Sequence, residues 1–169
     1  MFYADITIPY TPNRDSPARV FYALNARFKD APKTYALALP NYGQRNARGI
    51  FRVFAKQLES LVALNLANDP VGPLCDFKMP VPVAQDYAGP WCVYRRYRVP
   101  PRGRKNRIQR LAYAFEHNLP RFVLHSQSNQ QVFCVSVEKM PVEEGQLGEI
   151  NTCNFGLSTT EQVTVLPDL

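Results

Sequence analysis

"KTYALALPNYGQRNARGIFRVFA", residues 33–55, contains two strand-like runs, "KTYALALP" and "IFRVFA", joined by a polar, basic loop with no helix between them. What flanks this pair decides the fold. Upstream, residues 2 to 8 alternate as a strand, and Ser16-Pro17 supplies a helix start, a hydroxyl N-cap followed by proline at the first helical position. Val20, Phe21, Leu24 and Phe28 then recur at helical spacing, which predicts an amphipathic helix to about residue 29 with Asn25 at the border of its apolar stripe. Downstream, Leu58, Leu61, Val62 and Asn65 mark a second helix of about ten residues. The proline-rich "PLCDFKMPVPVA" at 73–84 reads as an edge strand, because proline cannot donate to a central ladder.

The order is therefore β-α-β-β-α-β across residues 1 to 84, the ferredoxin-like (RRM-like) arrangement in which two helices cover one face of an antiparallel sheet. The predicted class is α+β, with a ferredoxin-like domain over 1–88 and a region over 89–169 that carries a basic helix at about 103–117 and a small β-rich remainder. "DYAGPWC" marks the junction. In the second region Ile108, Leu111, Ala112 and Phe115 are expected to anchor the helix, leaving Arg107, Arg110, Ala114 and His117 on another flank, and Asn118 with Pro120 ends it. Strands are expected at 121–125, 131–138 and 150–155, with a weaker one at 162–166. This topology hosts RNA-binding modules, metabolic regulators and acylphosphatase-like enzymes alike, and the aromatic RNP motif of ordinary RNA-recognition domains is missing.

The 169 residues suffice for a substantial apolar interior, and 46% hydrophobic against 20% charged residues describes a globular chain. No apolar run approaches the roughly 18 residues of a membrane span, and "MFYADITIPY" reads as a strand, so no membrane association and a cytoplasmic location are expected. Twenty Lys and Arg against fourteen Asp and Glu leave a formal charge of +6, which favours a polyanionic partner. The excess is local: Arg95, Arg96, Arg98, Arg102, Arg104, Lys105, Arg107 and Arg110 follow one another with no acidic residue between them. Such a run is either a solvated linker or a nucleic-acid contact, and Tyr94 and Tyr97 within it offer rings on which bases could stack.

Cys75, Cys92, Cys134 and Cys153 form no C-x-x-C pair and have no histidine at ligand spacing, so neither a metal site nor a cofactor is expected; Cys134 and Cys153 read as core residues. P-loop, nucleophile-elbow and HExxH motifs do not occur. Glu143 and Glu144 lie in a Gly-containing loop and read as a solvated turn. Metal-free RNA cleavage would need an aligned 2′-hydroxyl, a stabilised phosphorane and a proton carrier. The chain has two histidines, His117 near a helix end and His125 beside Ser126. In an extended strand neighbouring side chains alternate faces, so His125 and Ser126 share a site only if the strand end bulges or turns.

"FVLHSQSNQQVFCVSV", residues 122–137, together with "CNFGLS", residues 153–158, resembles the CRISPR repeat-processing endoribonucleases of the type I-F systems. Ser-Gln-Ser, a phenylalanine five residues after its second serine, and Gly-Leu-Ser carry the resemblance over about 25 residues. It implies a protein that grips the stem-loop of CRISPR repeat RNA and cleaves at the 3′ base of the stem by metal-independent 2′-hydroxyl attack. It implies also that the protein stays on the crRNA hairpin beside the backbone subunit of a surveillance complex. Under it Ser126 positions the attacking nucleotide, Gln127 and Ser128 join the RNA contact, and Phe133 stacks beneath the last base pair. Arg98 matches a linker arginine, and Arg104, Arg107 and Arg110 correspond by region to arginines along the hairpin groove; Arg95, Arg96, Arg102 and Lys105 complete the basic run.

The departures fall on the catalytic groups. The family's histidine base aligns with Asn25, and the tyrosine before Gly-Leu-Ser with Phe155. Neither residue can carry a proton at neutral pH. Two readings follow: His125, where relatives carry arginine, takes over proton transfer beside Ser126, or the protein is a hairpin-binding cap that cuts slowly or not at all.

Overall fold

The computed structural model describes residues 1–9, 15–64, 66–100, 103–125 and 131–169. Ser126, Gln127, Ser128 and Arg102 lie outside the described residues, as does the side chain of Arg104.

Strand β1 (Phe2–Thr7) leads to helix α1 (Ser16–Asp30), then to β2 (Tyr35–Ala38), β3 (Ile50–Ala55) and the short helix α2 (Leu58–Ala63). A 3-10 turn at Gly72–Leu74 precedes the two-residue strands β4 (Asp76–Phe77) and β5 (Val81–Pro82). The sheet order is β2-β3-β1-β4, with β5 also on β1, and every pairing is antiparallel. This is the ferredoxin-like topology that the order of runs predicts. The edge strand is split in two around Met79 and Pro80 because the proline nitrogen has no hydrogen for the ladder. Helix α1 begins one residue earlier than expected: Asp15 is the N-cap, and Ser16 is a buried helical residue.

A second antiparallel sheet follows, in the order β7-β8-β6-β9, from β6 (Trp91–Tyr97), β7 (Arg121–His125), β8 (Val132–Val142) and β9 (Leu166–Pro167). Helix α3 (Arg104–Glu116) connects β6 to β7. The basic segment before the helix is thus a central strand. Cys92, Tyr94, Phe122, Leu124, Val135 and Val137 turn one face of this sheet into the common core.

Helix α1 holds the two sheets together. Phe21 stacks on Phe122 of β7 at 4.4 Å between ring centroids, lies 6.0 Å from Phe51 of β3 and 5.7 Å from Phe155, and is 1% exposed. Burying such a ring stabilises by about 1.5–3 kcal/mol before packing geometry is counted.

The segment expected as a strand at 150–155 is not one, because its backbone is shared between the two sheets. The amide of Leu37 donates to the Gly156 carbonyl at 2.7 Å, and Thr152 Oγ1 donates to the Tyr35 carbonyl at 2.7 Å, closing the open edge of β2. Two residues later Ser158 N donates to the Tyr94 carbonyl and Arg96 N donates to the Ser158 carbonyl, at 2.8 and 2.9 Å, on the edge of β6. Gly156 makes the crossover possible: its φ is +69°, and a β-carbon there would lie 2.7 Å from the Phe28 ring. Gly-Leu-Ser therefore has a complete structural role as the tie between sheets.

Candidate nucleic-acid interface

Alternation along β6 sorts its basic and aromatic residues onto opposite faces. Tyr94 and Arg96 point toward the first sheet and the 151–158 segment; Arg95 and Tyr97 point outward beneath α3. Arg95 opposes Glu138 across the β6–β8 ladder and pairs with it at 2.7 Å. The other carboxylate oxygen of Glu138 accepts a 2.7 Å hydrogen bond from the Tyr113 hydroxyl of α3. Burial works against the charge on Glu138, but the Tyr113 bond and the Arg95 guanidinium outweigh it and hold the carboxyl below the usual range.

Tyr113 is also the middle of a column of flat groups that seats the helix. Arg110 lies 4.7 Å over the Tyr97 ring, Tyr97 stacks on Tyr113 at 5.3 Å, and Tyr113 stacks on His117 at 3.9 Å. His117 Nδ1 lies 2.9 Å from the Tyr113 carbonyl oxygen. The expected anchor is thereby corrected. Ile108 is 58% and Phe115 70% exposed, while Leu111, Tyr113 and Ala114 form the half-buried side of α3. Among the described residues the helix has one sheet beneath it and no second layer over the rest of its apolar stripe.

Tyr94 and Tyr97 do not serve as free stacking platforms either. Tyr94 is 2% exposed with its hydroxyl donating to the Leu39 carbonyl, and Tyr97 is buried between Arg110 and Tyr113. Cys134, expected in the core, is exposed: it opposes Val123 on the outer face of the β7–β8 pair, where alternation gives the core Val135 instead.

Between α3, the loop from β2 to β3, the end of β6 and the β7–β8 pair lies a cleft of about 1340 Å³. Arg96 and Arg98 come to it from β6 and the residues just after, Arg107 and Arg110 from α3, Arg45 and Arg48 from the loop, and Arg121 from the start of β7. Among the described residues no Asp or Glu lines it. Seven guanidinium groups without a carboxylate repel one another unless an anion lies between them, and the planar forks of arginine suit phosphate. Phe133 and Phe115 are the aromatic side chains in the lining, and the Arg121 guanidinium sits 5.9 Å over the Phe115 ring. Arg95 is outside the cleft, neutralised by Glu138, and Lys105 is exposed on α3 without lining it.

Arg45, Arg48 and Arg121 escape a reading by charge runs because each is separated in sequence from the Arg95–Arg110 stretch. The signal that was present is the basic character of "NYGQRNARG" itself.

The residues aligned with catalytic groups are placed for packing. Asn25 is 4% exposed, and its Nδ2 donates to the Asn154 carbonyl at 2.6 Å. Phe155 is buried against Phe21, with the Arg96 guanidinium 4.6 Å over its ring. Burial lowers the pKa of Arg96, and Arg98 nearby lowers it further. Arg96 lines both the cleft and a hollow of about 290 Å³ formed with Lys33, Cys153, Asn154 and Phe155. The structure thus brings Asn25, Phe155 and Arg96 into one neighbourhood. His125 does not itself line the cleft, although it lies on the same outer face of the β7–β8 pair as Arg121, Val132 and Cys134, which do.

Among the described residues no group of three His, Cys, Asp or Glu side chains could hold a metal ion, and no helix is long and apolar enough to cross a membrane.

No protein-family model matches the chain, and no curated protein matches it significantly. Among solved structures it is similar to a CRISPR endoribonuclease, Cse3, bound to a 19-nucleotide RNA. The similarity covers 99% of this chain and 100% of the other, at 11% identity and a TM-score of 0.32. At that TM-score and identity the likeness fixes neither the fold nor the activity of this chain.

Proposed function

We propose that this protein binds the stem-loop of a CRISPR repeat RNA in its arginine cleft and holds the hairpin as a subunit of a larger ribonucleoprotein complex. The observation that carries the reading is the cleft's acid-free lining of seven arginines with Phe133 beside them. Arg98, Arg107 and Arg110 contact the phosphates of the stem, and Phe133 offers its ring to the terminal base pair. The resemblance of Ser126-Gln127-Ser128, Phe133 and Gly-Leu-Ser to repeat-processing endoribonucleases supplies the choice of RNA.

The same resemblance carries a second reading, cleavage at the 3′ base of the stem by attack of the 2′-hydroxyl, with Ser126 positioning the nucleophile and His125 moving the proton. The placement of Asn25 and Phe155 favours the binder over the enzyme. Asn25 and Phe155 are committed to packing.

Incubation with a labelled RNA carrying the host's CRISPR repeat, in excess chelator, separates the two. An intact, tightly bound hairpin is the expected result. A 2′,3′-cyclic phosphate product formed within minutes would restore the catalytic reading, and loss of that product in His125→Ala would assign the proton to His125. Failure to bind the hairpin more tightly than an unstructured RNA of equal length would overturn both.

A further inference from the structure

The loop from β2 to β3 belongs to the ferredoxin-like sheet, yet it reaches the cleft that the second sheet and α3 frame. Its backbone is ordered by four successive turns: Tyr42 N to the Leu39 carbonyl at 2.9 Å, Gln44 N to Asn41 at 3.0 Å, Ala47 N to Gln44 at 3.1 Å and Gly49 N to Asn46 at 3.0 Å. Gly43, at φ +81°, supplies the left-handed residue that this path requires.

The loop is fastened at both ends to other parts of the molecule. The Tyr42 ring meets the Tyr94 ring edge-on at 6.2 Å, and Arg48 Nη1 donates to the Arg121 carbonyl at 3.1 Å. Ile8 N donates to the Gly49 carbonyl at 2.8 Å. Between these fastenings Arg45 is exposed and lines the cleft, and it makes no hydrogen bond or ion pair within the described residues. A guanidinium carried by an ordered loop, with no internal acid to satisfy it, loses little backbone freedom when it meets an anion.

We propose that this loop is a second RNA-binding arm, in which Arg45 contacts the phosphate backbone at a stretch distinct from the one gripped by Arg107 of α3. Arg48 acts as a positioning residue, holding the loop to the start of β7 through the Arg121 carbonyl. The inference rests on the reading of the cleft as an RNA site. It adds to that reading a grip from two walls, one contributed by each sheet's half of the chain.

The test measures binding of the labelled repeat hairpin by the full chain at a series of salt concentrations, for wild type, Arg45→Ala, Arg107→Ala and the double variant. Each single variant is expected to weaken binding by roughly 5- to 10-fold and to reduce the slope of log K against log salt by about 1, as for loss of one phosphate contact. Contacts to separate stretches predict that the two fold-losses multiply in the double variant. Arg45→Lys retains the charge and most of the affinity.

Weakened binding by Arg107→Ala with Arg45→Ala at wild-type affinity and slope overturns the arm and leaves the proposed function standing. Unchanged binding by both variants overturns the arm and the cleft reading together. A loss at Arg45 with an unchanged salt slope, or losses that fail to multiply, rejects a separate phosphate contact. Because the exposed Arg45 side chain makes no hydrogen bond or ion pair among the described residues, its replacement is expected to leave the melting temperature unchanged, so that affinity losses report binding.

Discussion

Helices α1 and α3 have the same kind of amphipathic pattern and opposite fates. In α1 the residues Val20, Phe21, Leu24 and Phe28 are all buried, because one sheet lies on each side of the helix and Phe21 touches rings from both. In α3 the residues Ile108 and Phe115 stay exposed, and the helix is seated instead by Tyr97, Tyr113 and the Glu138 carboxylate. A helix between two layers is committed to stability. A helix resting on one layer keeps side chains for recognition, and Arg107 and Arg110 line the cleft from it.

The largest effect that would break this contrast is on α1. Phe21→Ala is expected to destabilise by about 3–5 kcal/mol, the cost of deleting a buried ring from a core that cannot fully collapse. Urea denaturation measures it, and a loss near zero would mean that α1 does not join the sheets.

The middle effect concerns how α3 is seated. Tyr113→Phe removes the first of the two donors that hold down the Glu138 carboxyl, so the folded-state pKa of Glu138 rises toward the ordinary glutamate value. A carboxyl lowered in the folded state stabilises above its unfolded pKa, about 4.3, and that contribution disappears as pH falls through the folded value. Wild type is therefore more stable than Tyr113→Phe at neutral pH, and the two converge under acid conditions below that range. NMR titration of Glu138 reads the shift directly; an unmoved pKa would show that Arg95 alone sets it.

The smallest effect is expected at Ile108. Ile108→Ser should change stability by no more than about 0.5 kcal/mol, as for a surface position. A much larger loss would place a covering layer on that flank.

The strand and helix order of the first sheet was legible because alternation, helical spacing and the Ser-Pro start all agree there, and burial then follows pattern. The β6 strand was obscured by its arginines, which look solvated in sequence but are paired with Glu138 or laid over Phe155 in the fold. The 150–155 segment misleads because its hydrogen bonds are divided between two sheets, and no local pattern encodes a partner that lies more than a hundred residues away. For the candidate site, Arg96, Arg98, Arg107, Arg110 and Phe133 were legible from residue type and resemblance. Arg45, Arg48 and Arg121 were not, since each enters the cleft from a different element.

By itself the sequence determined the ferredoxin-like half, the excess of positive charge and the presence of a basic helix, all of which depend on neighbours within a few residues. Only the tertiary structure decided which arginines face one another across a cleft without acids, and that Asn25 and Phe155 serve packing. Those outcomes depend on strand register and on which layers cover each helix, and both are settled by burial summed over the whole chain.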